Sequence, residues 1–141
     1  MGRPMVASWA PYLLSALRIV AAFLFFAHGT QKLFGVPAAD PGSVVPLFSL
    51  LGLAGALEFI GGGLLLLGCW TRPAAFVLAG EMAVAYFLRH APQGFWPLLN
   101  RGELAVLFCF LWLYIAAAGP GPWALEVLWR REARAPSGGA A

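Results

Sequence analysis

Two carboxyl groups stand where a carboxyl is costly. Glu58 lies in GALEFIGG and Glu81 in LAGEMAVA, each inside a stretch that is otherwise apolar. A charged side chain at mid-bilayer costs at least ~2.5 kcal/mol even on lenient insertion scales, so such groups need partners or a wet cavity. His28, Gln31 and Lys32 follow one another at i+3 and i+4 and share a helical face. Arg89, His90, Asn100, Arg101 and Glu103 come later in the chain at the ends of two further apolar stretches. Such a set can relay protons through its carboxyls and donate hydrogen bonds from imidazole and ammonium to a ligand carbonyl. It can also be structural, with Glu58 or Glu81 paired to Arg18, Lys32 or Arg89 to fix helix register. Metal chemistry has weaker support. No HxxH, ExxH or CxxC spacing pre-forms ligands on one helix, no flavin motif is present, and one membrane-embedded histidine cannot supply two haem ligands.

The elements that must hold these residues follow from composition. Of 141 residues, 61% are apolar and 11% charged, and the mean hydropathy is +0.80. Soluble domains carry about 25% charged residues, so a soluble globular fold and a disordered chain are both excluded. Residues 12–34, 47–70, 73–88 and 102–118 read as apolar stretches close to the length that crosses a ~30 Å hydrocarbon core. No alternation of polar and apolar residues points to a barrel. The expected fold is all-α: a polytopic membrane protein with a four-transmembrane-helix bundle over residues 1–121 and an amphipathic, basic tail over 122–141. That tail, with Trp123, Trp129 and its arginines, reads as a short interfacial helix. The net charge of +3 is not gathered into a nucleic-acid-binding patch, and the basic tail suits anionic lipid headgroups instead. The lipid bilayer is thus the first partner and no nucleic acid is expected.

The connections are Pro/Gly-containing loops at 35–46 and 91–101 and a tight turn, WTRP, at 70–73. Arg3, Arg18, Arg72, Arg130, Arg131 and Arg134 fall on one side of this topology and Lys32, Arg89 and Arg101 on the other. The positive-inside rule then puts both termini in the cytoplasm. The first apolar run is too long for a signal h-region and is read as a retained anchor. At the rise of a helix, His28 lies about 9 Å below the outer face, Glu58 about 16 Å and Glu81 about 13 Å. These three and the polar mouth above them form an outward-facing pocket. Gly55 and Gly62 flank Glu58 at i−3 and i+4 and leave its face free for a flat ligand or for a neighbouring helix. Cys69 and Cys109 fall at different depths and read as packing thiols.

Three segments, LRIVAAFLFFAHGTQKLFG (17–35), GALEFIGGGLLLLGCWTRPAA (55–75) and EMAVAYFLRHAPQGFW...NRGELAVL (81–107), together resemble the DoxX family of small bacterial membrane proteins. The resemblance rests on the HGxxKLFG helix end, the ExxGG and TRxAA pair, and the Asn-x-Gly-Glu opening of the last helix. It implies a four-helix inner-membrane protein associated with membrane oxidoreductases; the family takes its name from a subunit linked to thiosulfate:quinone oxidoreductase. Matching positions are His28, Lys32, Glu58, Arg72, His90, Asn100 and Glu103. Arg101 stands where the family commonly has glycine, and Cys69 where it has an aliphatic residue.

Two functional readings follow. In the first, the chain is a redox-associated subunit that binds a quinone among His28, Lys32, Glu58, Glu81, His90, Asn100 and Glu103. Electrons then come from a partner redox protein, and Glu81 or Glu103 relays protons. In the second, it is a non-catalytic organiser that holds soluble redox enzymes through its loops and tail. Small-solute transport is a third option, and it would require a homo-oligomer because four helices without a repeat offer little for alternating access.

Overall fold

The computed structural model describes residues 5–37 and 44–133, with side chains from residue 8 onward. Arg3, the middle of the first loop, Arg134 and the rest of the tail lie outside the described residues. Among the described residues the protein is all-helical. The helices are α1 (Met5–Phe34), α2 (Leu50–Leu67), α3 (Thr71–Ala85), α4 (Glu103–Ala118) and α5 (Leu125–Glu132). A π-helical turn, Tyr86–His90, and a short 3-10 turn, Ala91–Gln93, continue α3. By length and composition two helical spans can cross a membrane, Ser8–Phe34 and Leu50–Leu67, and α4 is a shorter apolar helix.

Local chemistry explains where the helices stop. Ser49 caps α2, its Oγ accepting from Gly52 N at 3.0 Å. Gly68 ends α2 in the left-handed region with φ 72°. The Cys69 N–H donates to Leu64 O at 2.9 Å and the Gly68 N–H to Leu65 O at 3.2 Å, the bonding pattern of a Schellman motif. Pro73 then sits in the first turn of α3, where a helix needs no N–H. α1 starts earlier than the apolar pattern predicts, at Met5, and carries Pro11 inside it at the expense of one i−4 hydrogen bond.

The core joins the four long helices. Ala22 and Phe25 of α1, Leu65 of α2, Ala75, Leu78 and Ala79 of α3, and Phe108, Trp112 and Ile115 of α4 are buried together. The Phe25 ring lies 5.2 Å from Phe108 and 5.4 Å from Trp112, which closes α1 against α4. Outward, Val20, Phe23, Ile60, Phe76, Leu107 and Phe110 are all exposed.

α1 and α2 are almost in backbone contact. A Cβ on Gly29 would lie 2.4 Å from Phe59 N, one on Gly62 2.9 Å from Phe26 N, and one on Gly55 3.0 Å from Lys32 Cβ. The glycine face beside Glu58 is therefore filled by α1. The sequence left it open to a flat ligand, and the structure assigns it to helix packing, as expected where small residues let two backbones approach.

Two arginines tie off the opposite end of the bundle. Arg18 is fully buried and donates to the carbonyls of Pro120 at 2.8 Å, Leu66 at 3.1 Å, and also Leu65 and Trp123. Arg72 donates to Ala116 O at 2.9 Å and Ala117 O at 2.6 Å. Each guanidinium satisfies carbonyls at a helix C-terminus, α2 for Arg18 and α4 for Arg72, and meets the negative end of its dipole. Arg18 thus pairs with backbone rather than with Glu58 or Glu81. Cys69 and Cys109 are free thiols.

Candidate functional site

Lys32, in the last turn of α1, reaches across the glycine contact to Glu58. Its Nζ lies 2.6 Å from Glu58 Oε1. The pair is asymmetric: the lysine side chain is 30% exposed and the glutamate 4%. The lysine stem thus carries a charge from the wetter end of the bundle to a carboxyl that water does not reach. Glu58 Oε2 is buried and has no hydrogen-bond partner.

Glu81 is placed differently. α3 carries it to the far side of the same space, where both of its oxygens are buried and neither accepts a hydrogen bond from the protein. Glu58 and Lys32 are its charged neighbours. Two carboxyls and one ammonium face one volume, and Lys32 is committed to the first carboxyl. Glu81 is left needing a proton or a donor from a bound molecule.

That volume is a cavity of about 410 Å³ among all four long helices. Its polar lining is His28, Lys32, Glu58, Glu81, Arg89, His90 and Gln93, and Phe25, Met82 and Phe108 close its apolar side. The π turn contributes to the rim, since Arg89 and His90 both belong to it. π-helical turns recur at functional sites because the extra residue redirects side chains that a regular helix would carry elsewhere. His90 Nδ1 lies 2.9 Å from Asn100 O. A carbonyl only accepts, so Nδ1 carries the proton in this bond, and in the neutral ring Nε2 is the acceptor.

Five of the seven residues singled out in the sequence therefore line one cavity: His28, Lys32, Glu58, Glu81 and His90. Asn100 and Glu103 are not part of its lining. Asn100 is almost fully buried, donates to Gly94 O at 2.8 Å and accepts from Gly102 N at 2.8 Å. It shapes the loop that leads into α4 and, through its carbonyl, orients His90. Glu103 is exposed in the first turn of α4, where a carboxylate complements the helix dipole. Arg101 is exposed and outside the cavity lining, with φ 58°. Arg89 and Gln93, which the sequence placed at the mouth or in a loop, do line the cavity. Among the described residues no three His, Cys, Asp or Glu side chains gather as metal ligands would.

Comparison with known proteins bears on this site directly. A family model described as DoxX matches residues 13–91, more than half of the chain. The chain belongs to the DoxX family. The matched stretch contains the five cavity residues His28, Lys32, Glu58, Glu81 and His90 and stops short of Asn100 and Glu103. An uncharacterized protein of Haemophilus influenzae is 44% identical over 122 residues, covering 84% of this DoxX chain and 91% of the relative. An uncharacterized membrane protein of Mycobacterium tuberculosis is 26% identical over 125 residues, covering 78% of this chain and 77% of that one. No solved structure matches. Family membership, two apolar helices of spanning length and the exposed apolar faces of the bundle identify this DoxX chain as a membrane protein.

Proposed function

We propose that this DoxX protein is a four-span subunit of the bacterial cytoplasmic membrane, with both termini in the cytoplasm. In this reading it binds a quinone in the Glu81 cavity and works with a partner oxidoreductase that supplies the electrons. The observation that carries the reading is Glu81: a carboxyl with both oxygens buried and no protein donor, in a cavity with an apolar wall and an acid–base set. The residues fit the ligand class. Lys32 keeps N–H groups beyond the one on Glu58, and His28 adds a ring donor, so two groups can donate to carbonyl oxygens. Phe25, Met82 and Phe108 exclude water on the side where a ring would lie.

A bound quinone supplies a two-electron, two-proton couple. Glu81 holds or releases a proton at the cavity, and His90, with Nε2 as an acceptor, lies between it and the outer end of the bundle. Glu58 stays with Lys32 and keeps that ammonium oriented. The slot is the space shared by α1 to α4 and not the glycine face of α2.

The test is binding to the intact chain in nanodiscs. The wild-type protein is expected to leave mild-detergent purification with quinone attached and to rebind decylubiquinone saturably, read by tryptophan fluorescence and native mass spectrometry. Glu81→Gln and Lys32→Met should each weaken binding about tenfold, the equivalent of one hydrogen bond to a charged group. Protein that carries no quinone and shows no saturable titration overturns the reading.

A further inference from the structure

A groove of about 470 Å³ runs along the bundle between α2 and α3, lined by Ser49, α2, α3 and the π turn. It shares Leu51, Ala54, Glu81, Ala85 and Arg89 with the Glu81 cavity. The two spaces thus adjoin, and Glu81 sits at their junction. From Ser49 to Leu57 the groove extends about 12 Å along α2. Leu53, Val84 and Leu88 line it and are more than half exposed, so they face lipid. At the junction Ala54 on one helix and Ala85 on the other are small, beside the longer Leu51, Glu81 and Arg89.

We infer that the Glu81 cavity is loaded from the bilayer core through the α2–α3 cleft, and that its ligand is a lipid-soluble molecule whose polar head reaches Glu81 while its apolar tail lies in the groove. This deepens the proposed quinone reading and rests on it for the identity of the head. The groove alone would be an apolar trough that any acyl chain could fill. What distinguishes it is the carboxyl at its inner end, with both oxygens buried and no donor. A solute arriving from water through the His28, His90 and Gln93 rim would have no use for a lipid-facing trough that leads to the same carboxyl. A molecule dissolved in the membrane reaches Glu81 by this route without crossing that polar rim.

Access can be read without any quinone. In phosphatidylcholine nanodiscs the full chain is treated with dicyclohexylcarbodiimide, which dissolves in the membrane, or with a cationic water-soluble carbodiimide. The acid O–H adds across a C=N bond and the adduct rearranges to an N-acylurea, so the Glu81 peptide gains one reagent and loses nothing. The membrane-soluble reagent should label Glu81 at least about tenfold faster, and Ala54→Trp or Ala85→Trp should slow that labelling by about the same factor. Leu53→Ala, which widens the groove, should raise the rate, and Phe76→Trp, on α3 outside the groove, should leave it unchanged. The plugs lie on different helices and the widening variant moves the rate the other way, so the outcome does not hang on one variant that fails to fold. Equal labelling by the water-soluble reagent, labelling indifferent to both plugs, or a wild-type Glu81 closed to both reagents overturns the inference. The first two results would leave the quinone titration standing; a failed titration with plug-sensitive labelling would overturn the quinone alone.

Discussion

Arg18 and Arg72 do similar work in different surroundings, and the difference sets what each contributes. Arg18 is fully buried and donates to four carbonyls contributed by α2 and by the segment after α4. Removing it takes a donor from all four carbonyls, of which Leu65 O keeps the Gly68 N–H, in a medium that offers no water. Hydrogen bonds to a charged group are worth about 1.5–3 kcal/mol each, and a buried acceptor left unpaired loses its full desolvation energy. Arg18→Met should therefore destabilise the protein by about 3 kcal/mol or more. Arg72 is exposed and caps the end of α4 from outside. Arg72→Met should cost about 1 kcal/mol, the usual scale of a lost terminal cap and dipole partner. Thermal unfolding in one detergent, followed by circular dichroism, compares the two; equal losses would show that burial does not decide the contribution. The same contrast explains what the sequence concealed. A lone arginine in an apolar helix announces a need for partners, but carbonyls at distant helix ends carry no sequence signature. Arg18 was legible as an anomaly and its clamp was not.

At the scale of elements, the tight turn expected at 70–73 falls two residues earlier, at 68–70, with Thr71, Arg72 and Pro73 already in the first turn of α3. The four apolar stretches were legible because length and composition are local. The glycines were not, since Gly55, Gly62 and Gly80 read alike in a sequence while their surroundings differ. A Cβ on Gly29 meets the backbone of Phe59 at 2.4 Å, whereas one on Gly80 meets nothing within 4 Å. Gly29→Ala must push α1 from α2 and should cost about 2 kcal/mol, while Gly80→Ala should gain up to about 0.8 kcal/mol from helix propensity. Opposite shifts in melting temperature are expected, and shifts of one sign would refute the close approach. The π turn was equally invisible, because nothing in YFLRH marks an extra residue per turn, yet it brings Arg89 and His90 to the cavity rim. Arg101 is the converse case: it holds a left-handed φ of 58°, a conformation that glycine adopts without steric cost. Relieving it with Arg101→Gly should stabilise by about 0.5 kcal/mol, the left-handed strain less the extra entropy of glycine.

At the scale of the whole molecule the question is how many helices cross. α1 and α2 are long and apolar enough by themselves. If they alone spanned, the large apolar side chains Phe76, Val77, Leu107 and Phe110 of α3 and α4, all more than half exposed, would face water. The 20 residues from the start of α3 to the end of the π turn reach roughly 30 Å, and α4, with 16 residues, roughly 24 Å. A helix that short is accommodated by local thinning or by flanking groups at the interface, and Phe95, Trp96, Leu98 and Leu99 are exposed just before it. The proposed four crossings would bring both termini to one side. Arg18, Arg72, Arg130 and Arg131 would then lie toward that side and Lys32, Arg89 and Arg101 toward the other, a bias that by the positive-inside rule favours the first group in the cytoplasm. Green fluorescent protein fused after α5 should therefore fluoresce, and alkaline phosphatase there should be inactive. Alkaline phosphatase inserted after Gln93, between the π turn and α4, should be active outside the membrane. The inverse pattern would turn the cavity mouth toward the cytoplasm. An active phosphatase after α5 together with an inactive one after Gln93 would overturn the orientation, and activity at both sites would overturn the fourth crossing.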